Sequence, residues 1–236
     1  MTTRLLSAAV LLSLCLAAPT LAQDAKDNPA AKPENRDVPR HKEFLKKVAS
    51  GDAQLIFLGD SITQGWEGKE PSKIWNENFS QYKPVNLGIG GDTTGHVLWR
   101  ITEGKELEPI KPKLAVIMIG TNNTGRHTAD QIAGGIKAIV EELRKQKPDM
   151  KILLLGVFPR SAKATDQVRE KIKSINSTIS KLDDGKYVFY KDIGDKFLTS
   201  DGTLEKKIMP DLLHLSGEGY QIWADAIKDD VAKLMK

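Results

Sequence analysis

A single cysteine, Cys15, stands in a chain of 236 residues, and it lies in an apolar N-terminal stretch rather than in the body of the protein. That scarcity excludes a disulfide framework, a thiolate zinc site and a thiol nucleophile from everything that follows it. Aromatic residues are few, at 6%, and no regular run of basic residues accompanies them. Trp66, Trp75, Trp99 and Trp223 are therefore expected to pack in the core or at its rim rather than to form a base-stacking platform. An excess of one charge is missing too: 35 basic residues face 31 acidic ones, interleaved in KDNPAAKPENRD, EELRKQK and REKIK. This is the pattern of solvated helix faces, and it argues against a nucleic-acid partner. A G-x-x-x-x-G-K-[ST] phosphate loop is absent, which removes the Walker reading of the glycine pairs.

Long hydrophobic runs are also lacking, with one exception. LLSAAVLLSLCLAA, behind Arg4, has the length of a signal-peptide core and is too short for a confident membrane span. Small residues near Thr20-Leu21-Ala22 place cleavage after Ala22, so residues 1–22 read as a signal peptide and the protein as secreted or periplasmic. Leu14 before Cys15 is not the small residue that lipid anchoring needs. Residues 23–40 are polar and carry Pro29, Pro33 and Pro39, the composition of a flexible tether. The remainder, 41–236, reads as one domain, with 40% hydrophobic and 28% charged residues across the chain.

Within that domain, apolar runs and amphipathic stretches take turns. Strands are predicted at Gln54 to Leu58, Pro84 to Leu87, Leu114 to Ile119, Ile152 to Val157 and Tyr187 to Tyr190. Helices are predicted at His41 to Ala49, Ser72 to Phe79, Gly95 to Thr102, Thr128 to Gln146, Asp166 to Leu182 and Gly217 to Met235. Continuous apolar strands separated by helices predict an α/β fold, a three-layer sandwich with a parallel sheet of about five strands. The first three strands each run into a glycine and small polar residues, in GDSIT, NLGIGGDTTGH and IGTNNTGRH. In a parallel sheet these clusters arrive together at the carboxyl edge, where ligands bind.

MPDLLHLSGEGY, ahead of the last helix, supplies Asp211 and His214 three residues apart. A turn at that spacing brings a carboxylate beside an imidazole. Acyl transfer needs this pair, because serine is a poor nucleophile until an imidazole accepts its proton and a carboxylate fixes the imidazole's tautomer. Ser61 at the end of the first strand is the matching nucleophile, although alone it would read as a helix N-cap. An α/β-hydrolase elbow is excluded, since Thr63 stands where G-x-S-x-G has its second glycine. A metal on Asp211 and His214 is not expected, with no further histidine or cysteine nearby to complete a set. His41 and His127 read as surface residues, and His96 as a helix-face histidine bonded to backbone.

GDSIT, GIGGDTT, GTNN and DLLH occur in the order and approximate separation of the four blocks of the SGNH, or GDSL-type, esterase and lipase superfamily, which this chain resembles over roughly residues 50 to 235. NLGIGGDTTGHVLWRI and IKPKLAVIMIGTNNT are similar in particular to the platelet-activating-factor acetylhydrolase catalytic subunits. The resemblance implies a flavodoxin-like fold and a serine esterase working without metal or organic cofactor. It implies Ser61 as nucleophile, Asp211 and His214 as acid and base, and an oxyanion hole from the N–H groups of Ser61 and Gly91 with the side-chain amide of Asn122. Asn123 departs from the commoner G-x-N-D form, a departure that the acetylhydrolase group shares.

Ile62 and Leu213, next to the nucleophile and the base, are expected to wall the acyl pocket and restrict it to short, acetyl-sized groups. An O-acetylated carbohydrate, small or polymeric, is the expected substrate. A phospholipid acetylhydrolase or lysophospholipase-like lipase, an acyltransferase, and an inactive carbohydrate-binding module remain as alternatives.

Overall fold

The computed structural model describes residues 27–236, so the expected signal peptide at 1–22 lies outside the described residues. Five strands form the sheet: β1 (Leu55–Gly59), β2 (Pro84–Gly88), β3 (Leu114–Met118), β4 (Lys151–Leu155) and β5 (Val188–Lys191). The helices are α1 (Pro39–Val48), α2 (Ser61–Gln64), α3 (Pro71–Phe79), α4 (Thr94–Ile101), α5 (Ala129–Gln146), α6 (Gln167–Ile179) and α7 (Gly217–Leu234). All strand pairs are parallel, in the order β2-β1-β3-β4-β5. The predicted three-layer α/β fold is the observed one. Element ends shift by one to three residues, and the short α2 is absent from the predicted elements.

Alternation along each strand divides two apolar cores. Ile56, Leu58, Ala115, Ile117, Ile152 and Leu154 join side chains of α1, α4, α5 and α6 on one face. Leu55, Phe57, Leu114, Val116, Met118 and Leu153 join Ile62, Trp66, Phe79, Trp223 and Ile227 on the other. Both faces being covered explains why the central strands β1 and β3 read as unbroken apolar runs. The second core holds an aromatic cluster in which Phe57, Trp66, Trp75, Phe79 and Trp223 lie with ring centroids 4.6 to 6.4 Å apart. The expected packing role of these tryptophans holds.

Chain order β2-β1-β3 puts a switch point beside β1, where the connections leave in opposite directions. The strands end level there, Gly59 beside Gly88 and Met118. Gly88 is required by close approach, because a Cβ on it would run into the backbone of Thr63 and Gln64 in α2.

Two expectations are corrected. Residues 27–40 are not a free tether in the part described: Ala30 is 1% exposed, and Arg36 and Arg40 bond to the loop after β2 and to its end. His41 is buried, not on the surface. It shares a face of α1 with Phe44 and Val48, stacks edge-on against Trp99 and places Nδ1 3.0 Å from the buried carboxylate of Glu106, which needs a polar partner. His127 is half-buried beside Asn123, with its Nδ1 3.2 Å from the Asn123 amide.

Asp60 joins β1 to α2, fully buried, and its Oδ1 accepts the N–H of Ile62 as an N-cap. Among the described residues its Oδ2 has no hydrogen-bond partner. Burial pushes the carboxyl up to about 7, against the opposing Ile62 bond and with the charge of Asp92 adding to the rise. The folded chain therefore holds a proton that the unfolded chain releases near 3.8. This contribution to stability is complete below the unfolded value and is lost as pH rises through about 7. Asp60→Asn keeps the cap acceptor and removes the ionisation. Its melting temperature relative to the natural chain should rise by several degrees between pH 5 and pH 8, and a difference independent of pH would contradict this account.

Candidate active site

Ser61 opens α2 immediately beyond the sheet edge, and its Oγ lies 2.8 Å from His214 Nε2. His214 Nδ1 in turn lies 2.6 Å from Asp211 Oδ2. A carboxylate can only accept, so Nδ1 carries the proton and Nε2 is left to accept from the serine hydroxyl. The three residues singled out in the sequence are thus brought together across 153 positions of chain. Asp211 Oδ1 also accepts the N–H groups of Leu213 and His214, at 3.1 and 2.7 Å, which closes the turn carrying the imidazole. Leu212 inside it has φ +62°, a left-handed conformation unusual for leucine. Burial acts to raise the Asp211 carboxyl, but the His214 side-chain and backbone bonds prevail and hold it below its ordinary value. Asp211 therefore stays charged where an imidazole titrates.

Among the described residues the backbone N–H groups of Ser61 and Gly91 have no protein acceptor. Ile89 and Asp92 close a turn with Gly90 and Gly91 at its centre, the N–H of Asp92 reaching Ile89 O at 3.1 Å. Gly91 has φ +80°, which glycine tolerates without strain. A Cβ on Gly90 would be in van der Waals contact with the Cβ of Ser61, so the turn lies directly against the serine. Asn122 donates one amide hydrogen to Asp92 O at 2.9 Å, and its amide carries a second. Asn123 is fully buried and spans the backbone N–H and hydroxyl of Thr94 at 3.1 Å each. It braces the start of α4 and is shielded from solvent.

The structure adds residues that motif reading missed. Gln64 Oε1 accepts the N–H of Gly90 at 2.7 Å, tying the turn to α2. Arg36 donates through Nε to Asp92 Oδ1 at 2.7 Å and through Nη2 to Gly90 O at 2.6 Å. The other oxygen of Asp92 accepts from the buried Arg100 at 2.9 Å. Burial pushes the Asp92 carboxyl upward and the two guanidiniums oppose that rise. His96 caps α4 by accepting the N–H of Thr93 at 3.1 Å, as expected of a helix-face histidine.

The two expected pocket walls part company. Ile62 is 1% exposed and belongs to the second apolar core, because a residue one step into α2 turns its side chain beneath the helix. It is not a pocket wall. Leu213 is half-buried and packs against the margin of that core. The site is open, with the side chains of His214 and Asp211 45% and 56% exposed. Cavities of about 510, 550 and 410 Å³ elsewhere are lined by other residues. Among the described residues no group of three or more His, Cys, Asp or Glu is placed to hold a metal ion, and no helix is long and apolar enough to cross a membrane.

Residues 57–222 match the model of the GDSL-like Lipase/Acylhydrolase family. The chain is 39% identical over 202 residues to platelet-activating factor acetylhydrolase IB subunit alpha1 of Bos taurus, covering 82% of this chain and 85% of that one. It is 40% identical over 201 residues to the alpha2 subunit of Gallus gallus, covering 82% and 86%. Among solved structures it shares its fold with a GDSL-like lipase from Bacteroides thetaiotaomicron, at TM-score 0.68 and 24% identity over 82% of this chain and 97% of that one. A carbohydrate acetylesterase from Sinorhizobium meliloti also shares the fold, at TM-score 0.58 and 23% identity over 77% and 99%. With a family match over most of its length and relatives near 40% identity across four-fifths of it, the chain belongs to the GDSL-like lipase/acylhydrolase family and is a carboxylic ester hydrolase.

Proposed function

We propose that this hydrolase is an exported serine esterase that removes acetyl groups through a covalent acyl-enzyme on Ser61. The observation that carries the reading is the unbroken relay from Ser61 Oγ through His214 to Asp211, at 2.8 and 2.6 Å, at the carboxyl edge of a parallel sheet. Ser61 Oγ attacks the ester carbonyl while His214 Nε2 takes its proton. Charge gathers on the carbonyl oxygen, which the N–H groups of Ser61 and Gly91 and the free amide hydrogen of Asn122 receive. Collapse breaks the bond to the alcohol, which leaves with the proton from His214. Water then repeats the sequence on the acyl-enzyme, with His214 as base, and releases the acid and the serine.

The acetyl preference is supported by the relatives near 40% identity, which are named as acetylhydrolase subunits. Export, expected from residues 1–22, favours an O-acetylated carbohydrate as the alcohol half. The same relatives favour a second reading, an acetylated phospholipid. Purified protein assayed on acetyl-xylan, acetylated monosaccharides and an acetylated phospholipid separates them, and release of acetate from none would sink the acetyl proposal.

The mechanism predicts that Ser61→Ala and His214→Ala each lower kcat by several orders of magnitude while leaving the melting temperature close to that of the natural chain. Near-natural turnover in either would overturn it. General-base catalysis by an imidazole predicts an activity that rises from acid toward neutral pH and then levels off. A flat profile contradicts His214 as base. For acyl length, kcat/KM should be highest for p-nitrophenyl acetate and fall by butyrate. Leu213→Ala should flatten that fall. Ile62→Ala should instead cost about 2–5 kcal/mol of stability, the range for truncating a buried isoleucine, with the acyl profile unchanged.

A further inference from the structure

Residues 28–36 cross the outer face of α4 and α5 in a groove cut by glycines. A Cβ on Gly95 would press on Lys32 O, and one on Gly135 would collide with Ala30 O and the Thr94 hydroxyl. The segment is fastened along its length. Asn28 Nδ2 donates to Gln131 O at 2.9 Å, Ala30 O accepts from Thr94 Oγ1 at 2.6 Å, and the N–H of Glu34 reaches Gly95 O at 2.9 Å. Ala30 is buried at 1% exposure. The segment ends its crossing at Arg36, which sits over the turn after β2.

Arg36 makes two directed bonds there. Nε is 2.7 Å from Asp92 Oδ1 and Nη2 is 2.6 Å from Gly90 O. These acceptors flank Gly91 on either side. A planar guanidinium bridging them fixes their relative orientation, which a single point charge cannot do. Because Gly90 O belongs to the peptide unit that ends in the Gly91 N–H, holding that carbonyl sets the direction in which the N–H points. Gly91 itself has φ +80° and glycine's freedom, so its orientation depends on such outside restraints. Gln64 fixes the preceding peptide through the Gly90 N–H, and Arg36 fixes the next.

We propose that the segment 28–36 is a built-in strap whose Arg36 is a positioning residue for the oxyanion hole, holding the Gly90–Gly91 peptide so that the Gly91 N–H faces the attacked carbonyl. The inference rests on the acyl-enzyme reading of Ser61 and extends the catalytic unit to a segment N-terminal to the family match, which begins at residue 57. A displaced oxyanion donor weakens transition-state binding and leaves ground-state binding in place.

The full-length protein with Arg36→Ala should lose about 10- to 100-fold in kcat with KM within about twofold, since losing one oxyanion donor outright costs about 100-fold or more. Added guanidinium or methylguanidinium at millimolar concentration should restore part of that loss. Arg36→Lys should restore little, because an ammonium cannot bridge both acceptors. Ala30→Asp, which lifts the strap while leaving Arg36 intact, should reproduce the kcat loss, and the double variant should be no worse than the worse single one. A natural kcat in Arg36→Ala overturns the inference, as does a rise in KM alone, which would make Arg36 a substrate contact. Failure of guanidinium to rescue kcat, or additive losses in the double variant, also overturns it. Ser61→Ala is measured alongside: if that variant stays active, the acyl-enzyme reading falls and the strap's role with it, whereas an inactive Ser61→Ala beside an unimpaired Arg36→Ala removes the strap inference alone.

Discussion

The guanidinium of Arg100 is buried at 0% exposure between the ends of two strands, and the arrangement of the site depends on how that charge is satisfied. Desolvating a cation costs several kcal/mol unless its hydrogens are met and its charge is countered. Here Glu106 accepts through both oxygens at 2.6 and 2.8 Å, Asp92 accepts at 2.9 Å, and the carbonyls of Leu87 and Gly59 accept at 3.0 and 3.3 Å. Those carbonyls lie at the carboxyl ends of β2 and β1, beside the positions from which the two site loops depart. Arg100 therefore acts as a rivet at the switch point. Removing it would leave two buried carboxylates facing each other's surroundings without a shared cation, the costlier direction in which to break such a network.

From that rivet the order of the site propagates outward in both directions. Glu106 also meets His41 and so anchors α1, while Asp92 meets Arg36 and, through its backbone carbonyl, Asn122. The loops after β2 and β3 are thereby locked to each other through the backbone of Asp92 and the amide of Asn122. Asn123 completes the lock, because an amide can both accept from Thr94 N–H and donate to its hydroxyl, which an ionised aspartate at that position cannot do.

Much of this was legible in the sequence, and what was not shares a cause. The strands were readable because β1, β3 and most of β4 are continuous apolar runs that stop at or near a turn, and the meeting of Ser61, Asp211 and His214 because their residue types and order leave few other chemistries. Ile62 was misread since adjacency in sequence says nothing about direction, and one step along a helix turns a side chain by about 100°. His41 carried a usable signal, its spacing from Phe44 and Val48, that was outweighed by polarity. Arg36 carried none. Its stretch has the composition of a linker, and the partners that order it, Gly90 and Asp92, are 54 and 56 residues away. Composition reports what a segment can bury by itself and is silent on a groove made elsewhere to receive it.

The two halves of the site are built to different standards of rigidity, and this bears on how an open surface can still orient a reaction. On one side, Ser61 and the Gly90–Gly91 turn stand on α2 and the sheet edge, among residues with little or no exposure. On the other, Asp211 and His214 lie on an exposed turn with Leu212 in a left-handed conformation, a strain on the order of 1–3 kcal/mol that the surroundings must offset. What offsets it is local: two N–H bonds to Asp211 Oδ1, and the bond from the N–H of Ser161 to Leu212 O at 3.0 Å. In the proposed mechanism the serine and the oxyanion donors must not move as charge develops, since their value lies in being oriented beforehand. The imidazole, by contrast, must pass a proton first from the serine and then to the departing alcohol, two positions that do not coincide. A half held on buried neighbours for the charge and a tethered, solvent-facing half for the proton meet both requirements, and the hydrogen bond between Ser61 and His214 is where they join.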